Sequence, residues 1–191
     1  MMELEPCAMI ASLIMDKDIE PKKDEDPNGK EKRFNMYDIR LPCIDNKKNC
    51  YPWENINKFM NQDKVKKALG QIGRTWQVCD NDVFTMSYKD QLYNSKKHLE
   101  YVLNDSIRVL LFYGEFDFIV NWEGGLHMAN ELEWKYQDEF RKAKVEDVGY
   151  GLRKKANNLE FIKFYRAGHM VPMDQPKESL NMLVDFMFNS S

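Results

Sequence analysis

Ile107-Arg108-Val109-Leu110-Leu111-Phe112-Tyr113-Gly114-Glu115-Phe116-Asp117-Phe118-Ile119-Val120-Asn121-Trp122-Glu123 is the stretch whose reading decides the fold. Residues 107–113 form a nearly unbroken apolar, β-prone run, the pattern of a strand buried on both faces of a largely parallel sheet. Gly114 ends it sharply, and a turn carrying Asp117 leads into a helix predicted at about 122–132. A strand, a tight turn with an acid and then a helix is the layout in which α/β enzymes set functional groups at the carboxyl ends of strands. The expected fold class is therefore α/β.

Downstream, residues 148–155 and 159–166 read as two further strands joined by the turn-forming pair Asn157-Asn158, a hairpin. The second strand runs into Ala167-Gly168-His169-Met170-Val171-Pro172. Pro176 opens a last helix whose Leu180, Leu183, Val184, Phe186 and Met187 are expected to pack on the sheet. Asp117 and His169 thus each follow a strand in a glycine-containing turn. In α/β-hydrolase enzymes the triad comes in the chain order nucleophile, acid, histidine, and this order fits. Two plainer readings stay open at this level: an aspartate in such a turn is often a helix N-cap, and a histidine after a strand is often a structural donor. His98 and His127 lie on predicted helices without a turn and read as surface or partly buried residues. The nucleophile of this fold sits in a Gly-x-Ser-x-Gly elbow, and none of Ser12, Ser87, Ser95, Ser106, Ser179, Ser190 or Ser191 has that context.

Upstream, Ile56, Phe59, Met60, Val65, Ala68 and Leu69 fall on helical spacing over 54–69, with a break near Asn61 and a stop at Gly70. A second helix is predicted over 88–103, with Leu92, Leu99, Val102 and Leu103 on one face. Residues 16–33 mix both charge signs with two prolines and a glycine and read as a solvated loop. The chain of 191 residues is 43% apolar and 31% charged, with a net charge of −3. Those values fit one soluble domain and give no electrostatic footprint for nucleic acid or an anionic membrane. The apolar run from Cys7 to Met15 is too short to span a bilayer. The acidic start Met1-Met2-Glu3-Leu4-Glu5 is unlike a signal peptide, so the chain is expected to be either intracellular or to lack its natural N-terminus, and the remaining features favour the second.

The spacing of Cys7, Cys43, Cys50 and Cys79 matches no zinc or redox motif, so no metal and no cofactor are expected. Cys43 and Cys50 bracket a polar loop that a disulfide is able to staple in an oxidising compartment; two free thiols are the alternative. Asn104 and Asn189 stand in Asn-x-Ser sequons, potential glycosylation sites in a secretory protein.

Four segments taken in order resemble the serine carboxypeptidases, which include vacuolar, plant and lysosomal enzymes. They are Tyr37-Asp38-Ile39-Arg40 with Cys43 following, the run Phe59 to Gly70, Tyr113-Gly114-Glu115-Phe116-Asp117-Phe118-Ile119, and Ala167-Gly168-His169-Met170-Val171-Pro172-Met173-Asp174-Gln175-Pro176. The resemblance extends from about Asn35 to Phe188. It implies the C-terminal part of an α/β-hydrolase fold over residues 34–191, with residues 1–33 a remnant of an insertion region. It also implies that Asp117 orients His169, and that His169 is the general base toward a serine outside this chain. Ile119 and Val120 then line the pocket for the residue before the scissile bond, and Met170 lies near the leaving amino acid. Cys43 and Cys50 correspond to a short-loop disulfide, while Cys7 and Cys79 correspond to cysteines whose partners lie in the absent N-terminal half.

The resemblance makes that half the expected partner, peptides with a free C-terminus the expected substrates, and the lysosome, the vacuole or the extracellular space the expected location. Some members of the family are cut in the region of 16–33 into two associated chains. By itself the chain is expected to be inactive. The alternative is a non-catalytic or acyltransferase relative acting as a partner chain, and a truncated product with an exposed sheet edge is a third reading.

Overall fold

The computed structural model describes residues 34–43, 50–70, 73–91 and 93–188. A two-stranded antiparallel hairpin comes first, β1 (Phe34–Asn35) and β2 (Asp38–Pro42). Helices α1 (Glu54–Met60), α2 (Asp63–Ala68), α3 (Asn81–Met86), α4 (Tyr88–Gln91) and α5 (Lys96–Asn104) follow. Next come β3 (Val109–Gly114), α6 (Trp122–Asn130), α7 (Gln137–Lys142), β4 (Val145–Asp147), β5 (Gly151–Ala156), β6 (Leu159–Phe164), α8 (Val171–Asp174) and α9 (Pro176–Phe188). Strands β3 to β6 form one mixed sheet in the order β3-β6-β5-β4, in which β3 and β6 are parallel and the other two pairs antiparallel.

The alternation of strand residues sorts the interior into two layers. Val109, Leu111 and Tyr113 of β3 and Leu159 and Phe161 of β6 face one side, where Leu103, Ala129, Leu132, Trp134 and Phe140 complete the packing. Leu110, Ile162 and Phe164 face the other side, against Ala167, Val171 and Met182. Helices therefore cover both faces, as the α/β reading requires. Gly125 lets α6 lie directly on the sheet, because a Cβ there would stand 2.3 Å from the Tyr113 ring.

The predicted break near Asn61 is present, and its cause is local. The Asn61 side chain donates to Asn57 O at 2.8 Å and Trp76 O at 2.9 Å, and accepts from Trp76 N at 2.8 Å, so it turns the chain between α1 and α2. Gly70 follows with φ +70°, the left-handed conformation that terminates a helix. The hairpin turn at Asn157-Asn158 is also present, with Asn157 at φ 49°.

Five points of the sequence reading need correction. The helix predicted over 88–103 is two helices: Asn94 accepts the Lys96 amide at 3.0 Å and starts α5 afresh. Leu92 lies outside the described residues. The first strand of the hairpin begins at Gly151 rather than 148, because Asp147 Oδ1 accepts the Gly149 amide at 2.8 Å and Gly149 turns at φ +83°. The short, fully exposed β4 has no apolar pattern and was not predicted. Strand β3 is half-buried rather than enclosed, with Phe112 41% exposed, because among the described residues it is an edge with β6 as its one neighbour.

The face of α9 is the fifth. Ser179 and Met182 are buried and Phe186 is half-buried, whereas Leu180, Leu183, Val184 and Met187 are exposed. The helix is apolar on more than one face, so periodicity alone did not choose the buried one. Arg108 fixes its far end, donating to Phe186 O at 2.6 Å and lying over the Phe186 ring.

In the β1–β2 hairpin, Asp38 is fully buried and Arg40 grips it through Nε at 2.8 Å and Nη2 at 2.5 Å. Burial alone would raise the Asp38 pKa, but the hydrogen bonds and charge of Arg40 outweigh it and hold the carboxyl below its ordinary value.

Two outcomes test this packing. In this chain Met182→Ala is expected to cost about 2–5 kcal/mol of unfolding free energy and Leu183→Ala within about 0.5 kcal/mol, read by urea denaturation. Because the folded pKa of Asp38 is depressed, its stabilising contribution is full above the unfolded-state carboxylate pKa and is lost as pH falls through the folded value. The stability deficit of Asp38→Asn should accordingly be largest near neutrality and shrink in that acidic window, as followed by thermal melts against pH.

Candidate active site

The parallel pair places the site. Gly114 pairs with Phe164 in register, so the turns after β3 and β6 leave the sheet at the same end. They then pack backbone on backbone. Glu115 N donates to Phe164 O and Phe116 N to Ala167 O, both at 2.9 Å. A Cβ on Gly114 would stand 2.0 Å from Gly168 O and 2.6 Å from Ala167 O, so residue 114 has no room for a side chain.

This contact brings Asp117 and His169 together across 52 residues of chain, with Asp117 Oδ2 2.7 Å from His169 Nδ1. The other carboxylate oxygen accepts the Val120 amide at 3.1 Å, so the aspartate braces its own turn and meets the imidazole at once. The N-cap of α6 is a different residue, Asn121, which accepts the Gly124 amide at 2.8 Å. Asp117 is 6% exposed, and the His169 side chain is 36% exposed. An ionised carboxylate only accepts hydrogen bonds, so Nδ1 is the donor and Nε2 is left as the basic nitrogen. The pair is thus capable of taking a proton at Nε2 while the carboxylate stabilises the resulting imidazolium.

The β1–β2 hairpin straps both turns from outside the main sheet. Its Met36 O accepts the amides of Phe118 and Ile119 at 3.2 Å each, and Tyr37 O accepts the His169 amide at 2.7 Å. Ile39 N donates to Phe116 O at 3.1 Å. The Tyr37 ring lies 5.5 Å from the imidazole, and burial, Cys79 and Asp117 raise its hydroxyl pKa. Arg40 stacks over the Phe116 ring at 4.5 Å. The sequence reading used Tyr37-Asp38-Ile39-Arg40 as a marker and missed this clamp. The available signal was an alternating polar-apolar segment too short to belong to the main sheet.

Cys43 and Cys50 form a disulfide, and Cys50 is buried. Beyond it the Tyr51 ring lies 6.0 Å from the Tyr37 ring and 5.7 Å from the Trp53 ring, so an aromatic cluster connects the residues after the disulfide to the hairpin. Ile119 and Val120 are exposed at 40% and 46% beside Asp117, and Met170 is half-buried beside His169. His98 and His127 are exposed, in keeping with their reading as surface or partly buried residues. Cys79 is exposed, and Cys7 lies outside the described residues. Asn104 is exposed, with its amide spanning Glu133 O and Lys135 N; Asn189 lies outside the described residues. Among the described residues no three His, Cys, Asp or Glu side chains group as metal ligands, and no helix is long and apolar enough to cross a membrane.

The sequence model of the serine carboxypeptidase family matches residues 8–189. The chain is 37% identical over 164 residues to serine carboxypeptidase-like 47 of Arabidopsis thaliana, covering 83% of this chain and 32% of that protein. It is 36% identical over 157 residues to serine carboxypeptidase 3 of Triticum aestivum, covering 80% of this chain and 31% of that one. Among solved structures, the prohormone-processing carboxypeptidase Kex1Δp of Saccharomyces cerevisiae superposes with a TM-score of 0.63 at 26% identity, over 82% of this chain and 36% of the yeast chain. The fold is that of the α/β-hydrolases. The chain spans about a third of the length of these relatives. By its sequence and by its fold, it belongs to the serine carboxypeptidase family.

Proposed function

We propose that the chain supplies the aspartate and histidine of a Ser-Asp-His triad that removes C-terminal residues from peptides, with the serine on sequence outside this chain. The 2.7 Å contact between Asp117 and His169 carries the reading. In this mechanism His169 Nε2 takes the serine proton as the hydroxyl attacks the scissile carbonyl, and returns it to the leaving amine. Asp117 holds the Nδ1–H tautomer and stabilises the imidazolium. Ile119 and Val120 serve as pocket walls for the residue before the scissile bond, and Met170 flanks the departing residue.

Three observations support a site completed from elsewhere. None of the seven serines stands in a Gly-x-Ser-x-Gly elbow. Among the described residues β3 leaves one edge without a strand, beside the exposed Phe112. Leu180, Leu183, Val184 and Met187 leave an apolar face on α9. The missing part of the fold is the partner that covers both, and Cys7 and Cys79 are the cysteines we assign to covalent links with it. Asn104 and Asn189 are the proposed glycosylation sites, in keeping with a vacuolar, lysosomal or secreted enzyme.

Fluorophosphonate labelling followed by intact mass, non-reduced and reduced, tests the assignment. A labelled species that releases this chain unlabelled on reduction is the expected result. Label on one of this chain's own serines, or a native species of this chain alone that turns over peptides, would overturn it. In the assembled enzyme Asp117→Asn should lower kcat by about 10⁴-fold with little change in KM, as expected when the tautomer is lost and binding is kept.

A further inference from the structure

We infer that Asp174 is a positioning residue for His169, acting through the backbone of the histidine turn; the inference rests on the reading of Asp117 and His169 as a catalytic pair. The imidazole meets Asp117 only if the main chain at 168–169 is held in one place. Tyr37 O holds the His169 amide at 2.7 Å, and Asp174 Oδ2 holds the Gly168 amide, also at 2.7 Å. Of these two acceptors, Asp174 alone is a side chain.

The carboxylate reaches back over its own loop. α8 begins just after the histidine, and Asp174 N donates to Met170 O at 3.1 Å while Asp174 Oδ2 accepts from Gly168. The segment from Gly168 to Asp174 is thereby closed on itself, with His169 inside the closure. Gly168 has no room to shift toward the hairpin, since a Cβ there would stand 2.5 Å from Tyr37 O and 2.7 Å from Asp38 Cβ. The same Asp174 oxygen lies 3.6 Å from Arg40 Nη2, and Arg40 is already gripped by the buried Asp38. One guanidinium between two carboxylates therefore ties the histidine turn to the hairpin that also straps the Asp117 turn. Charge-assisted bonds to a backbone N–H are the strong class, which suits a bond whose purpose is to fix a position.

Asp174 makes no contact with the imidazole, so its effect must be read on the histidine. The direct readout is the downfield proton resonance of His169 Nδ1–H in the full chain, with the amide resonances of β5 and β6 reporting the fold. The wild type shows this resonance and Asp117→Asn loses it. Asp174→Ala loses or broadens it while the β5 and β6 amides are unchanged. Asp174→Asn keeps an oxygen where Oδ2 stands and restores it. In the assembled enzyme Asp174→Ala should lower kcat on the order of 100-fold, with KM nearly unchanged and recovery in Asp174→Asn. Retention of the resonance in Asp174→Ala, or its loss in a folded Asp174→Asn, overturns the inference and leaves the pair intact. Absence of the resonance from the wild type overturns the pair and the inference with it.

Discussion

The structure depends on one backbone contact, the in-register parallel pairing of β3 with β6 and its continuation past the strand ends into the touching turns at Gly114 and Gly168. Two parallel strands release the chain at the same end of a sheet, so residues distant in sequence become neighbours without any loop reaching across. Here the neighbours are a buried aspartate and a half-exposed histidine. The requirement for glycine at 114 is steric. Two main chains approach so closely that a methyl group would occupy the same space as a carbonyl oxygen.

Around that contact the molecule adds constraint from outside the sheet. The β1–β2 hairpin contributes three backbone bonds to the acid turn and one to the histidine turn, and its own shape is held by the Asp38–Arg40 pair, with the Cys43–Cys50 disulfide just after it. A catalytic constellation needs its supporting shell fixed more tightly than a loop on its own allows. Burying a carboxylate is costly unless it is paired and hydrogen-bonded. Asp38 is both, through a planar guanidinium that matches its two oxygens.

Much of this was legible in the sequence, and the limits are physical. The run 107–113 and the hairpin around Asn157-Asn158 have β-branched or aromatic residues bounded by strong turn signals, and both strands and their turn are present. Asp117 and His169 stood out because each follows a strand at a glycine-bearing turn, but the pattern alone left a helix cap and a structural histidine open, and the 2.7 Å contact between them is a matter of tertiary structure. The buried face of α9 was not legible, since Met182 and Leu183 are equally apolar and the choice is made by Ile162 and Phe164 of β6, far away in sequence. β4 was invisible because its three residues are exposed and carry no apolar pattern. The clamp at 36–40 was missed because its four hydrogen bonds to the two turns are main-chain bonds, which side-chain patterns do not encode.

The central claim is that His169, oriented by Asp117, is the base of a triad completed by a serine outside this chain. Treating the native protein with a substrate-like peptidyl chloromethyl ketone and mapping the alkylated residue tests it most directly. The account predicts modification of His169 at Nε2 with parallel loss of peptidase activity, and none at His98 or His127. Inactivation with His169 unmodified, or alkylation spread equally over the three histidines, would contradict it.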